Sequence, residues 1–210
     1  HSADGQEPGY SRVYVRYPGE KGGRLDWKSL ARALKEGRAF VSNGPWVDFR
    51  VNGRHAPGDT LTERSGQIRL TVDVKSAPWI SVDEVRVVVN GERKVVLPVE
   101  PRGGRRLDFS GEVCMSLKQD SFLAVEVAGI RTLYPVVQQA SSSGTADDAA
   151  LPYALTGPVF VDLDGNGHIV RVTEPKTWNV RTGPDTKYPS IGFAAQGNEY
   201  EYIALAVNGW

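Results

Sequence analysis

From Trp46 onward, apolar side chains fall on every second residue. WVDFRV (Trp46–Val51), QIRLTVDV (Gln67–Val74) and the run Val82–Val89 all alternate in this way. A period of two sends successive side chains to opposite faces of an extended chain, so each run reads as a strand with one face to bury. Two of the runs end in Asn-Gly, at Asn52-Gly53 and Asn90-Gly91. That dipeptide tolerates the positive φ that both central positions of a tight hairpin turn require. Lys94–Val99, Arg106–Met115 and Ser121–Val127 continue the series, and Tyr134–Val137 and Val159–Val161 add short strands. The 23 glycines and 13 prolines supply dense punctuation between them. Many short strands spaced by turns predict a mainly β chain, with an Ig-like or jelly-roll-type β-sandwich across residues 10–172.

The N-terminal part differs. Residues 1–9 are polar, open without Met, and are expected to be disordered or tag-derived. Ser11–Tyr17 alternates like a strand. Asp26–Glu36 is the one predicted helix. Asp26 can cap its N-terminus, Gly37 stands at its C-terminal cap position, and Trp27, Leu30, Ala31 and Leu34 form an apolar stripe at helical spacing. The stripe predicts core packing. Ser141–Ala150 (SSSGTADDAA) is small, polar and aperiodic, and predicts a mobile loop.

Charge narrows the function classes. Lys+Arg and Asp+Glu are 25 each, so the chain has no net field to hold nucleic acid or an anionic membrane. No apolar run reaches the roughly 18 residues of a membrane span, and no signal peptide is visible, so any targeting segment lies outside this piece. The single cysteine, Cys114, sits in an alternating run and reads as a small buried hydrophobe. The histidines, His1, His55 and His168, share no metal-ligand spacing, and His55, just after a turn, reads as solvated. No nucleophile–base set is legible.

The sharpest local motif is Asp162-Leu-Asp164-Gly-Asn166-Gly167. Oxygen side chains at alternate positions, followed by Gly at the sixth, match the first half of an EF-hand-type calcium loop, which turns its oxygens inward onto one hard cation. The match then fails, because position twelve is Thr173 rather than a bidentate Glu. Two readings stand side by side. One is a structural Ca2+ site of Asp162, Asp164 and Asn166, with Glu174 as a late ligand. The other is an Asx-type turn held by its own hydrogen bonds.

Several strings, taken in order, resemble one family. They are ALKEGRAFVSNGP (Ala33–Pro45), VNGRHAPGD (Val51–Asp59), APWISVDEVRVVVNG (Ala77–Gly91), DSFLAVEVAGIRTLYPVV (from Asp120) and LPYALTGPVFVDLDGNG (to Gly167). Together they resemble the C-terminal region of CehA/McbA-like metallohydrolases of the PHP (polymerase and histidinol phosphatase) superfamily, over about Tyr10–Gly167. The resemblance implies a parent hydrolase whose metal site is built upstream, from His-x-His and Asp-x-His elements. It also implies that this chain is a non-catalytic tail carrying the last strand and helix of the parent's barrel.

A second resemblance covers residues 173–210, after a composition shift near Thr173–Lys176. WNVRTGP (Trp178–Pro184), Tyr188, Ile191-Gly192, Gly197 and the closing Asn208-Gly209-Trp210 are similar to bacterial SH3 (SH3b) domains. That implies a small SH3-like β-barrel at the C-terminus. Tyr188, Tyr200, Tyr202 and Trp210 would either line a shallow groove for a cell-wall peptide or glycan or complete a small core. Modules of this kind mostly continue past this point, so the resemblance implies either an incomplete barrel or one that borrows a strand from the sandwich or from a second copy.

Three functions follow as expectations. The first is an accessory binding or structural region of a bacterial extracytoplasmic protein, working beside an upstream catalytic domain. The second is part of a metal-dependent phosphoesterase or carbamate-ester hydrolase whose metal site lies outside this chain. The third is an oligomerising scaffold.

Overall fold

The computed structural model describes residues 10–17, 25–100, 106–133 and 150–168, and the backbone of 170–171, 178–181, 190–194 and 199–200. The expected strand Tyr134–Val137 and the expected loop before Ala150 lie outside the described residues, as does the segment 1–9.

The chain is mainly β with one helix among the described residues. The elements are β1 (Arg12–Val15), α1 (Trp27–Lys35), β2 (Ala39–Ser42), β3 (Trp46–Val51), β4 (Thr60–Thr62), β5 (Gln67–Ser76), β6 (Glu84–Val89) and β7 (Glu92–Pro98). They continue with β8 (Leu107–Ser116), β9 (Ser121–Ala128), β10 (Tyr153–Thr156), β11 (Val159–Asp162), β12 (Val170–Arg171), β13 (Trp178–Arg181), β14 (Ser190–Ala194) and β15 (Glu199–Tyr200). The larger sheet runs β1-β2-β10-β9-β11-β4, with β6 on the other side of β9 and β7 beyond it. The smaller is β3-β5-β8. Val47, Phe49, Leu70, Val72 and Val74 of the smaller sheet join Val85, Val87, Leu123, Val125 and Val127 of the larger in one buried cluster. Each of these sets is spaced by two, so the alternation read from sequence is what fills the core.

One strand of the larger sheet is broken in a useful place. β10 and β11 both lie antiparallel to β9, but Leu155 pairs Glu126 whereas Val159 pairs Leu123, so one extra residue is accommodated at Gly157-Pro158. This is the geometry of a bulge. Pro158 has no N–H to give to the β9 ladder, and on β9 the Val125 N–H finds its acceptor in a side chain, Thr156 Oγ1 at 2.9 Å. The two halves therefore diverge. β10 receives β2 antiparallel, and β11 receives β4 parallel.

The turn chemistry holds at both Asn-Gly sites, with φ of 50° and 76° at Asn52-Gly53 and 51° and 85° at Asn90-Gly91. Asn90-Gly91 closes the β6–β7 hairpin. After Asn52-Gly53 the chain returns only as a single bridge, Val51 to His55, and β3 takes its partner from β5. The strands β2, β4 and β10 are short, and the alternation alone did not reveal them.

Three expectations are corrected. Asp26 does cap α1, accepting from Lys28 and Ser29 N–H, but the stripe is not core. Trp27 is 72% exposed and Leu34 46%, Ala31 is exposed and Leu30 half-buried, and Ala33 is the helix's buried residue. Helix spacing identifies an apolar face without saying what covers it. Cys114 is exposed, because in β8 the odd-numbered Phe109, Val113 and Met115 turn toward the core and the even-numbered residues turn out. His55 is half-buried rather than solvated, held by its bridge to Val51.

In the C-terminal segment, β12 pairs with β15 and β13 with β14, each antiparallel. The rest of 173–210 lies outside the described residues.

Candidate functional site

The acidic loop leaves β11 at Asp162, which is 3% exposed. Its carboxylate accepts from Gly165 N–H (2.7 Å, Oδ1) and Gly167 N–H (3.0 Å, Oδ2). Asp164 accepts from Asn166 N–H at 3.0 Å, and Asn166 Oδ1 accepts from His168 N–H at 2.7 Å. Positive φ at Gly165 (76°) and Gly167 (82°) lets the chain curl around these oxygens. All the bonds that the Asx-turn reading requires are therefore present.

The loop also brings in a residue that sequence reasoning missed. Asp120, in the β8–β9 connection, accepts from Leu163 N–H at 2.7 Å. Carboxylate oxygens of Asp120, Asp162 and Asp164 all lie within 4.8 Å of one another. No spacing in the sequence links Asp120 to the loop; β9 lying antiparallel to β11 brings them together. Three carboxylates this close suit a hard cation, which takes oxygen ligands. Backbone N–H groups already neutralise part of that charge. The Arg64 guanidinium lies beside Gly165, where an added Cβ would meet its Nη2 at 2.9 Å. Glu174 lies outside the described residues, as do Tyr188, Tyr202 and Trp210, while Tyr200 is described only as backbone in β15.

A second feature was not legible at all. Where β1 and β2 overhang β3, a cleft of about 280 Å³ opens between the sheets. Tyr14 stacks on Phe40 with centroids 4.6 Å apart, and Trp46 meets both edge-on at 5.0 Å. Arg16, Arg38, Asp48 and Arg50 stand around it. Arg50 is paired with Asp48 at 3.0 Å and Arg16 with Asp59 at 2.6 Å. Arg38 Nε lies 2.7 Å from Glu36 Oε2, with its N–H not aimed at that oxygen. Burial pushes the Asp59 carboxyl up, but the hydrogen bonds from Arg16 and from Ala56 N–H outweigh it and hold the group below the usual range. The cleft is thus an aromatic hollow with a charged rim. It offers apolar contact inside and hydrogen bonding at the mouth. Tyr14, Phe40 and Trp46 are 26 and 6 residues apart in sequence, so only the β1–β2 pairing and the approach of β3 assemble them.

His55 and His168 are the described histidines. Neither belongs to the acidic cluster, and His55 Nε2 accepts from Arg54 Nε at 3.1 Å. Comparison with known protein families, with characterised proteins and with solved structures finds no match for this chain.

Proposed function

We propose that this chain is a non-catalytic accessory region of a larger extracytoplasmic bacterial protein, a PHP-type metallohydrolase. Its two-sheet body would be a β-sandwich of Ig-like or jelly-roll type, and its C-terminus an SH3-like module. The observation that carries the binding role is the aromatic cleft of Tyr14, Phe40 and Trp46 with its arginine and aspartate rim. A hollow of this kind suits the mixed apolar and polar surface of peptidoglycan. The hydrolase parent rests on the resemblance of the ordered strings alone.

The test is sedimentation of the full chain with purified peptidoglycan. Retention of the parent chain is expected, with a marked loss for Trp46→Ala at unchanged thermal stability. A chain that stays in the supernatant overturns the wall-binding reading. Turnover of phosphate or carbamate esters with added manganese or zinc would overturn the non-catalytic one.

The convergence of Asp120 with Asp162 and Asp164 favours a structural role for calcium beside this binding role. Calcium at a hundredfold excess over its dissociation constant would stabilise the fold by about 2.7 kcal/mol. A melting temperature unmoved by millimolar calcium returns the loop to the Asx-turn reading.

A further inference from the structure

A sheet edge is a row of unpaired N–H and C=O groups, and proteins guard such rows with short strands, charges, proline or irregularity. Most edges among the described residues are guarded. β1 has four residues and β4 three. β7 carries Lys94 and Pro98, and its register with β6 shifts at Val87/Val88. β3 is closed, since Val51 is spent on His55, and Val47, Phe49 and Val51 are all buried.

β8 is the exception. It runs ten residues in unbroken register with β5 and contains no Lys, Arg or Pro. Its two charges, Asp108 and Glu112, are each paired with a basic residue of β5, Lys75 at 3.9 Å and Arg69 at 3.6 Å. The direction of its polar groups follows from two bonds. Asn52 N–H donates to Arg69 C=O, so Arg69 faces β3; Leu117 N–H donates to Gly66 C=O, so Gly66 faces the β8 side. Alternation then aims Leu107, Phe109, Gly111, Val113 and Met115 at β5. Asp108, Ser110, Glu112, Cys114 and Ser116 present their N–H and C=O groups to the open side, and all five residues are exposed. The core margin beside this edge is also incomplete. Phe109, Val113 and Met115, with Val95 and Leu97 of β7, are only partly buried.

We propose that β8 is a homodimer interface, pairing antiparallel with β8 of a second copy of this chain to join two smaller sheets into one. The strand that would finish the margin needs apolar side chains at alternate positions, and β8 has that pattern itself. A two-fold axis at Val113 sets Glu112 opposite Cys114 of the second copy. This avoids the Glu112–Glu112 repulsion of a Glu112-centred register, and it sets Asp108 opposite Lys118 of the second copy. The zero net charge raises no long-range barrier between copies.

Light scattering on the full chain between roughly 1 and 100 µM, with reductant present, reads the outcome directly. A doubled mass is expected at the upper end. Ser110→Lys should abolish it by placing on the edge a lysine, the guarding residue that β8 lacks. Cys114→Pro should do the same, because it removes an N–H that faces away from β5 and leaves the intrachain ladder whole. Both variants should keep the parent's thermal transition; if the proline variant unfolds, the lysine variant still decides. In the Val113-centred register the two Cys114 residues are diagonal neighbours about 7–8 Å apart. A short bis-maleimide should therefore give a covalent dimer that Cys114→Ser does not form. A monomer throughout the range overturns the proposal and leaves the edge to a different polypeptide. So does a dimer that survives Ser110→Lys, or one that the cross-linker cannot capture.

Discussion

Glu126 lies on β9, on the face turned away from the shared core, yet its side chain is only 8% exposed. Arg93 grips it with two hydrogen bonds of 2.8 and 2.9 Å, and Arg86 approaches to 3.4 Å. Burial pushes its carboxyl up, but hydrogen bonds from Arg93 and Tyr153 and the two arginine charges outweigh that and hold it low. A depressed folded-state value adds stability above the ordinary glutamate range, and this is lost as pH falls through that range toward the folded value. Glu126→Gln should therefore cost about 2 kcal/mol at pH 7, and urea unfolding should show the gap to the parent closing below roughly pH 4. The Tyr153 phenol is pushed up by burial and then by the Glu126 charge, so its contribution runs the other way, present at neutral pH and lost above the ordinary tyrosine range. In the sequence, Glu126 is one charge within an apolar strand. Its partners come from the β6–β9 register and from β7 folded back at Asn90-Gly91, neither of which periodicity specifies.

At the scale of elements, local chemistry was legible, including the β6–β7 hairpin at Asn90-Gly91, and the longer-range pairings were not. Asp26 caps the helix it was expected to cap, and both Asn-Gly turns take positive φ, because each depends on a few neighbouring residues. The split of β10 from β11 depends on three elements at once. Gly157 N–H donates to Ala39 C=O at 2.7 Å, and Gly58 N–H reaches Pro158 C=O at the same distance. A Cβ on Gly157 would stand 2.0 Å from the Gly37 carbonyl oxygen, a backbone atom with no room to retreat. Gly157→Ala should therefore cost about 3 kcal/mol or more, measured by thermal or denaturant unfolding. The same bulge sends β2 one way and β4 the other, which places Phe40 over Trp46 and brings Asp59 within reach of Arg16. The cleft lies at β2, the partner of β10, and the acidic loop leaves the end of β11 itself.

At the scale of the whole molecule, the two sheets share one core and should unfold together. Phe49, 1% exposed on β3, is among its largest members. Phe49→Ala should cost about 3–5 kcal/mol and lower the melting temperature of a single transition rather than split it in two. What the sequence determined by itself is what repeats or acts locally: a mainly β chain, one capped helix, the turn sites, and an oxygen-rich loop at Asp162–Gly167. Alternation and turn geometry need no knowledge of distant residues. Only the tertiary structure decided which strands are neighbours, that Asp120 joins Asp162 and Asp164, that the α1 stripe and Cys114 face outward, and that β8 is an open edge among the described residues. A period says which side chains share a face. Which face is covered depends on register and on contacts between residues far apart in the chain, and those emerge only when all the strands compete for one core.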